Sequence, residues 1–176
     1  MEPIPVQVPF FTTSGGNKVC NSTAKNMSIE GSYNPFKNIS MDGNNVIEDG
    51  VILRGDLESI KIGRYTILCK NCVIRPPSNI GQGEIQHLRM SIGSHVLIGE
   101  SSIVQSALIH NYVQIGRNCV IGPRCIIKEC SKIEDNTVLP PDTVVPAFTV
   151  YSGNPAKYKG DLPESTEPTM RELTTS

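Results

Sequence analysis

Any chemistry in this 176-residue chain would have to come from its three histidines and six cysteines. An imidazole is the side chain best matched to general-base work near neutral pH, as in acyl transfer, and three imidazoles together hold zinc. The candidates are His87, His95 and His110. None has an obvious carboxylate to orient it, so loop or surface positions account for them better than a catalytic triad or a metal site. Cys69 and Cys72 form a C-x-x-C. No second such pair completes a four-thiolate zinc set, and Cys72, Cys119 and Cys125 fall on positions that call for small buried residues. Arg54-Gly55-Asp56 is expected to be a structural pairing of Arg54 with Asp56 at a corner or interface. No metal or cofactor is expected.

Composition narrows the classes further. The net charge is −1 with no long basic or acidic run, which gives no support to nucleic-acid binding. No apolar stretch is long enough to cross a bilayer. The first residues lack the basic-then-apolar pattern of a secretory signal, so the chain is expected to stay in the cytosol. The sequons at Asn21, Asn26 and Asn38 would then be silent.

The element that must position everything is a six-residue period. Ile109, Ile115, Ile121, Ile127, Ile133, Leu139 and Val145 recur without a break, and Tyr151 takes the next place. Upstream, Ile47 and Leu53, then Ile62, Leu68 and Ile74, then Ile92, Ile98 and Val104 keep the same step, with one five-residue slip before Ile109. Six matches neither a helix nor an alternating strand. It predicts a parallel β-helix of hexapeptide repeats, an all-β triangular prism in which three hexads make a coil. Ile109 should then stack with Ile127 and Val145, and Ile115 with Ile133 and Tyr151.

A second periodicity supports the register. Four residues after the rungs come Thr66, Cys72, Val96, Ser102, Cys119, Cys125, Ser131, Thr137, Thr143 and Thr149, small or β-branched residues suited to a narrow corner. Gly63, Gly93, Gly99, Gly116 and Gly122 follow their rungs directly, and Asn71, Asn118 and Asn136 come three after theirs, where a corner needs positive φ. The chain divides into a lead and cap over 1–37, a β-helix over 38–154 with an extruded loop near 76–91, and a turn with a short helix over 155–176. In that helix Ser165 is the expected N-cap, and Met170 with Leu173 a thin apolar face. The open ends of such a stack are sticky strand edges that the terminal segments or a partner must cover.

Two families share the frame. Leu53-Arg-Gly-Asp56 and Ile92-Gly-Ser-His-Val-Leu-Ile-Gly99 resemble stretches of γ-carbonic anhydrases. In that family, histidines that bind zinc fall at places held here by Arg75, Glu100 and Gln105, and neither Arg nor Gln suits zinc. Ser14-Gly-Gly-Asn-Lys-Val19, Ile52-Leu-Arg-Gly-Asp-Leu57, Cys72-Val-Ile-Arg-Pro-Pro77, Val113 through Gly122, Asp135 through Pro146 and Gly160-Asp-Leu-Pro-Glu164 resemble the dynactin subunit five family, pointed-end β-helix components of dynactin.

That resemblance implies a left-handed β-helix and a non-catalytic adaptor role in dynein-driven transport on microtubules. It implies partners among the other pointed-end subunits (a second β-helix subunit, an actin-related protein and a large pointed-end subunit) and among cargo adaptors of dynein. The location implied is the cytoplasm and microtubule cytoskeleton, with the centrosome or kinetochore as finer sites. Candidate contact elements are the 76–91 loop and Arg54, Asp56, Arg75, Glu100, Gln105, His110, Tyr112 and Arg124. The alternative is a hexapeptide-repeat enzyme, an acyltransferase or γ-carbonic anhydrase-like homotrimer.

Overall fold

A computed structural model describes residues 10–12, 16–20 and 38–175; the expected lead over 1–9 and most of the cap over 21–37 lie outside them. The described chain winds into about six parallel coils with three flat sheets as walls. The first wall carries Met41, Ile62, Ile92, Ile109, Ile127 and Val145, the second Ile47, Leu68, Ile98, Ile115, Ile133 and Tyr151, and the third Leu53, Ile74, Val104, Ile121 and Leu139. Ile109 pairs with Ile127 and Ile127 with Val145, and Ile115 pairs with Ile133 and Ile133 with Tyr151. The stacking expected from the spacing is therefore present.

Each rung points inward. Every one from Ile47 to Val145 is buried, and each fully buried Ile, Leu or Val contributes about 1.5–3 kcal/mol relative to exposure. Tyr151, in the last coil, is half-buried against this core. The glycine after a rung exists because coils touch there: a Cβ on Gly99 would sit 2.4 Å from the Gly116 carbonyl oxygen. The small-residue positions do more than save space. Ser102 Oγ donates to the Gly116 carbonyl at 2.7 Å and accepts from Cys119 N at 3.1 Å, and Thr66 Oγ1 donates to the Gly93 carbonyl at 2.8 Å. They tie one coil to the next.

Positive φ is not confined to the asparagines. Asn71, Asn118 and Asn136 have φ of 61°, 52° and 60°, yet the equivalent places at another corner hold Tyr65, His95, Tyr112, Cys130 and Phe148 with φ of 55°, 56°, 60°, 56° and 57°. The repeat imposes the left-handed conformation at these two corners in coil after coil, and three of the bulky residues that adopt it, Tyr65, His95 and Tyr112, are stacked on one another.

The two ends are finished differently. At the amino end, Lys18–Cys20 pairs in parallel with the strand at Val46–Ile47, and Phe10–Thr12 pairs antiparallel with Lys18–Cys20. At the carboxyl end, Lys157–Asp161 runs antiparallel to Thr149–Ser152 and finishes the second wall. On the third wall Val138 N donates to the Gly153 carbonyl, and Ala156 N to the Val138 carbonyl. Throughout the stack, the residue after a rung donates its N–H to the following coil, as Gly122 does to Leu139 and Lys128 to Val145. In the final turns those places are Pro140 and Pro146, which have no N–H to offer. Proline thus blunts the edge. After a turn, Thr166–Thr175 forms helix α1, with the Ser165 carbonyl accepting from Thr169 N at 3.1 Å. Leu173 does not join an apolar face as expected; it is 46% exposed, and Thr174 is buried beside Met170 instead, because α1 lies on a polar, aromatic corner rather than an aliphatic wall.

Two substitutions at adjacent positions check this arrangement by thermal or urea unfolding. Ile121→Ala should cost about 2–5 kcal/mol, whereas Val120→Ala, one residue earlier and facing out, should cost about 0.5 kcal/mol or less. Replacing Pro140 and Pro146 together by Ala should leave folding intact and increase end-to-end self-association, read by light scattering over a concentration series.

Candidate functional site

The third wall differs from the others on its outer side. The residues just before its rungs are Ile52, Val73, Ile103, Val120 and Val138, paired in register across five coils. Ile103 and Val120 are each 40% exposed, and Ile52 is exposed as well. The matching column on the second wall ends in Gln114, Lys132 and Val150, and that on the first holds Ser40, Lys61 and Ser91 before turning aliphatic. Beside the aliphatic column, one residue after the rungs, lie Arg54, Arg75, Gln105 and Gly122, linked coil to coil through their backbone N–H groups. Arg54 Nε and Nη2 hold both oxygens of Asp56 at 3.0 and 3.1 Å, the structural pairing expected of them.

A hairpin springs from the corner that follows the Val73–Ile74 strand of this wall. Ser78–Gly81 and Glu84–His87 pair antiparallel, with Ile80 opposite Ile85. Gln82 and Gly83 both have positive φ, 50° and 81°, which is the backbone of a type I′ turn. Ile80 and Ile85 are 78% and 67% exposed, and Leu88 is exposed beside them. Arg124 fixes the base: its Nη1 donates to the Ser78 carbonyl at 2.5 Å, while Nε and Nη2 grip Asp142 at 2.7 and 3.0 Å. Those bonds hold the Asp142 carboxyl below its ordinary pKa. Of the exposed large apolar side chains among the described residues, most belong to this hairpin and the third wall; Val144, Tyr158 and Leu173 are the others. The sequence signal for this surface was an aliphatic residue before every third rung.

The eight candidate contact residues therefore separate. Arg54, Asp56, Arg75, Gln105 and Arg124 surround the third wall. Glu100 belongs to another corner, where Asp49, Lys70, Glu100, Arg117 and Asp135 occupy equivalent places in successive coils and alternate in sign. This column borders a groove of about 590 Å³ over the second wall, lined also by Cys69, Lys132 and Glu134. His110 lies on the first wall, its N–H donating to the Ile127 carbonyl at 2.9 Å. Tyr112 lies under α1, its hydroxyl accepting from Arg171 Nη2 at 2.8 Å.

The histidines are not equivalent either. His95 is neither a loose surface residue nor a base aimed at a cleft. Its ring is stacked between Tyr65 and Tyr112, 5.1 Å from each centroid, and Nδ1 lies 2.7 Å from Thr174 Oγ1. Burial and the nearby Arg171 lower its pKa, against the opposing pull of Glu167. His87 Nδ1 is buried with no partner among the described residues. The thiols are poor nucleophiles: burial, with Glu48 and Glu100, pushes Cys69 up to about 11, and burial with Glu167 and Glu129 raises Cys130. Cys72, Cys119 and Cys125 are buried in the small-residue positions. Among the described residues no three His, Cys, Asp or Glu side chains gather as a metal site.

These features define a hexapeptide-repeat parallel β-helix with a dressed outer surface. In solved structures the same fold occurs in a hexapeptide transferase family protein from Anaplasma phagocytophilum, at a TM-score of 0.62 and 22% identity over 78% of this chain and 84% of that one. Mitochondrial γ-carbonic anhydrase 2 of Arabidopsis thaliana is 23% identical over 64% of this chain and 40% of its own. A much nearer relative is dynactin subunit 5 of Dictyostelium discoideum, 47% identical over 95% of this chain and 80% of its own length. The family model for dynactin subunit 5 matches residues 6–176, and the chain belongs to that family.

On the resemblance to γ-carbonic anhydrases, that family's zinc places would fall near Arg75 and at Glu100 and Gln105, a set without a single imidazole. Elemental analysis of tag-free protein dialysed against zinc should find far less than one zinc per chain; a stoichiometric amount would contradict this assignment.

Proposed function

We propose that this protein is a non-catalytic structural subunit of dynactin whose third wall and hairpin form its contact surface. The observation behind the first part is family membership across nearly the whole chain. The second part rests on the aliphatic column of Ile52, Val73, Ile103, Val120 and Val138 and the exposed Ile80–Ile85 pair. An aliphatic surface of this extent is more often an interaction site than bare surface. It is also rigid, since it is carried by backbone tied on both sides, so a partner would order little of it on binding.

Arg54, Asp56, Arg75, Gln105 and Arg124 would supply the polar rim that sets orientation. Glu100, His110 and Tyr112 face other surfaces and would serve secondary contacts. The partners proposed are the second β-helix subunit, the actin-related protein and the large subunit of the pointed end, with cargo adaptors of dynein reached through the assembled surface. The proposed location is the cytoplasmic, microtubule-associated cytoskeleton, including the centrosome or kinetochore where dynactin is recruited. Enzymatic readings gain nothing from the site: His95 is occupied by Tyr65, Tyr112 and Thr174, and Cys69 is held as a thiol.

The test places charge on the column. Ile103→Asp with Val120→Asp should leave the unfolding transition nearly unchanged, because both side chains face outward, yet sharply reduce co-purification with other dynactin subunits from native extract. Lys61→Glu on the first wall should leave recovery unaffected. Full recovery of the double variant in the assembly would refute the third wall as the contact.

A further inference from the structure

Helix α1 is attached by few contacts. It has ten residues, and two of them, Met170 and Thr174, are buried. Isolated helices of this length are marginal in water, so its persistence depends on the corner beneath it. That corner is the column of Tyr65, His95 and Tyr112, each in the left-handed backbone conformation, which costs a bulky residue more than Asn or Gly. The neighbouring corner meets the same backbone requirement with Asn71, Ser101, Asn118 and Asn136. Aromatic rings at these places build a stacked platform, and α1 lies along it in register. Arg171 sits 5.7 Å from the Tyr112 ring centroid and bonds its hydroxyl, and Thr174 meets His95 one coil away. The spacing matches because three helical residues rise about 4.5 Å and one coil about 4.8 Å.

We propose that α1 is a proton-released latch: neutral His95, stacked between Tyr65 and Tyr112 and joined through Nδ1 to buried Thr174, holds the helix down, and protonation of His95 lets it lift. Thr174 Oγ1 also lies 2.8 Å from the Met170 carbonyl. Its single proton goes to that carbonyl, so Nδ1 carries the hydrogen donated to Oγ1, and Nε2 is left to receive a proton. The added proton leaves the Thr174 bond intact and acts through charge.

The groups that decide the outcome are on the page. From α1, the Arg171 guanidinium repels an imidazolium and Glu167 attracts it. From the platform, the Tyr65 and Tyr112 rings attract a cation. Burial opposes the charged form, and burial with Arg171 outweighs Glu167. The docked state therefore binds a proton less readily than a free imidazole; lifting α1 takes away Arg171 and the helix's share of the burial along with Glu167, which moves the ring back toward the free state. The stabilisation of the docked state is complete above the ordinary histidine range and is lost as pH falls through it. Release would bare the Tyr112 hydroxyl and the platform.

Hydrogen exchange on the full chain at pH 7.5 and 5.5, corrected for intrinsic rates, tests the latch. Protection over residues 166–175 should fall severalfold at the lower pH while the coils over 109–145 stay unchanged. His95→Phe keeps a ring between the tyrosines and cannot titrate, so its helix protection should be independent of pH at whatever level it has. Glu167→Gln removes the attraction that favours the charged ring, and should move the opening to higher pH. Equal protection of α1 at both pH values in the natural protein, the same fall in His95→Phe, or a shift to lower pH in Glu167→Gln would each overturn the proposal.

Discussion

Each coil of this protein rises only about 4.8 Å above the last, and into that thin layer every hexad must place one aliphatic side chain. The rest of the structure depends on that stacking. Because Ile109, Ile127 and Val145 lie directly in line, a step of six must be kept through coil after coil, and the one five-residue slip is absorbed at a corner near Ser106, whose buried hydroxyl has no partner among the described residues. The glycines after the rungs and the left-handed corners follow from the same tight spacing.

A core packed this way leaves little interior room for a ligand and concentrates variation on the outside. The three outer surfaces then diverge. One carries the aliphatic column of the third wall. A corner carries charges that alternate from Asp49 to Asp135 and so neutralise each other along the stack. Another corner carries aromatic rings and a helix. The hairpin after Pro77 extends the aliphatic surface beyond the prism, and Arg124 ties it back to the later coils. Function here is a matter of which surfaces are presented and how rigidly, which suits a component of a large assembly better than a catalyst.

Much of this was legible in the sequence. The rungs, the small inner positions, the glycines and the Asn corners follow from a period that no helix or ordinary strand produces. The pairing of Arg54 with Asp56 was the expected structural role of Arg54-Gly55-Asp56 at a corner. What was not legible depends on residues far apart in the chain. His95 and Thr174 are 79 residues apart and meet only because α1 folds back along a corner. The burial of Thr174 in place of Leu173 has the same cause, since helical periodicity identifies a face without identifying what it meets. The column at Ile52, Ile103 and Val120 was present in the letters but masked by the stronger rungs beside it, one residue away. The aromatic corner was hidden because Tyr and His are unexpected at positive φ until stacking is seen.

The central claim is that a rigid, inert prism exists to be held by other subunits. Native mass spectrometry of the endogenous protein, isolated at low salt without crosslinking, addresses it most directly. The account predicts this chain within a large hetero-assembly containing other dynactin subunits. Recovery only as a free homotrimer, the quaternary state expected of the alternative enzyme, would contradict it.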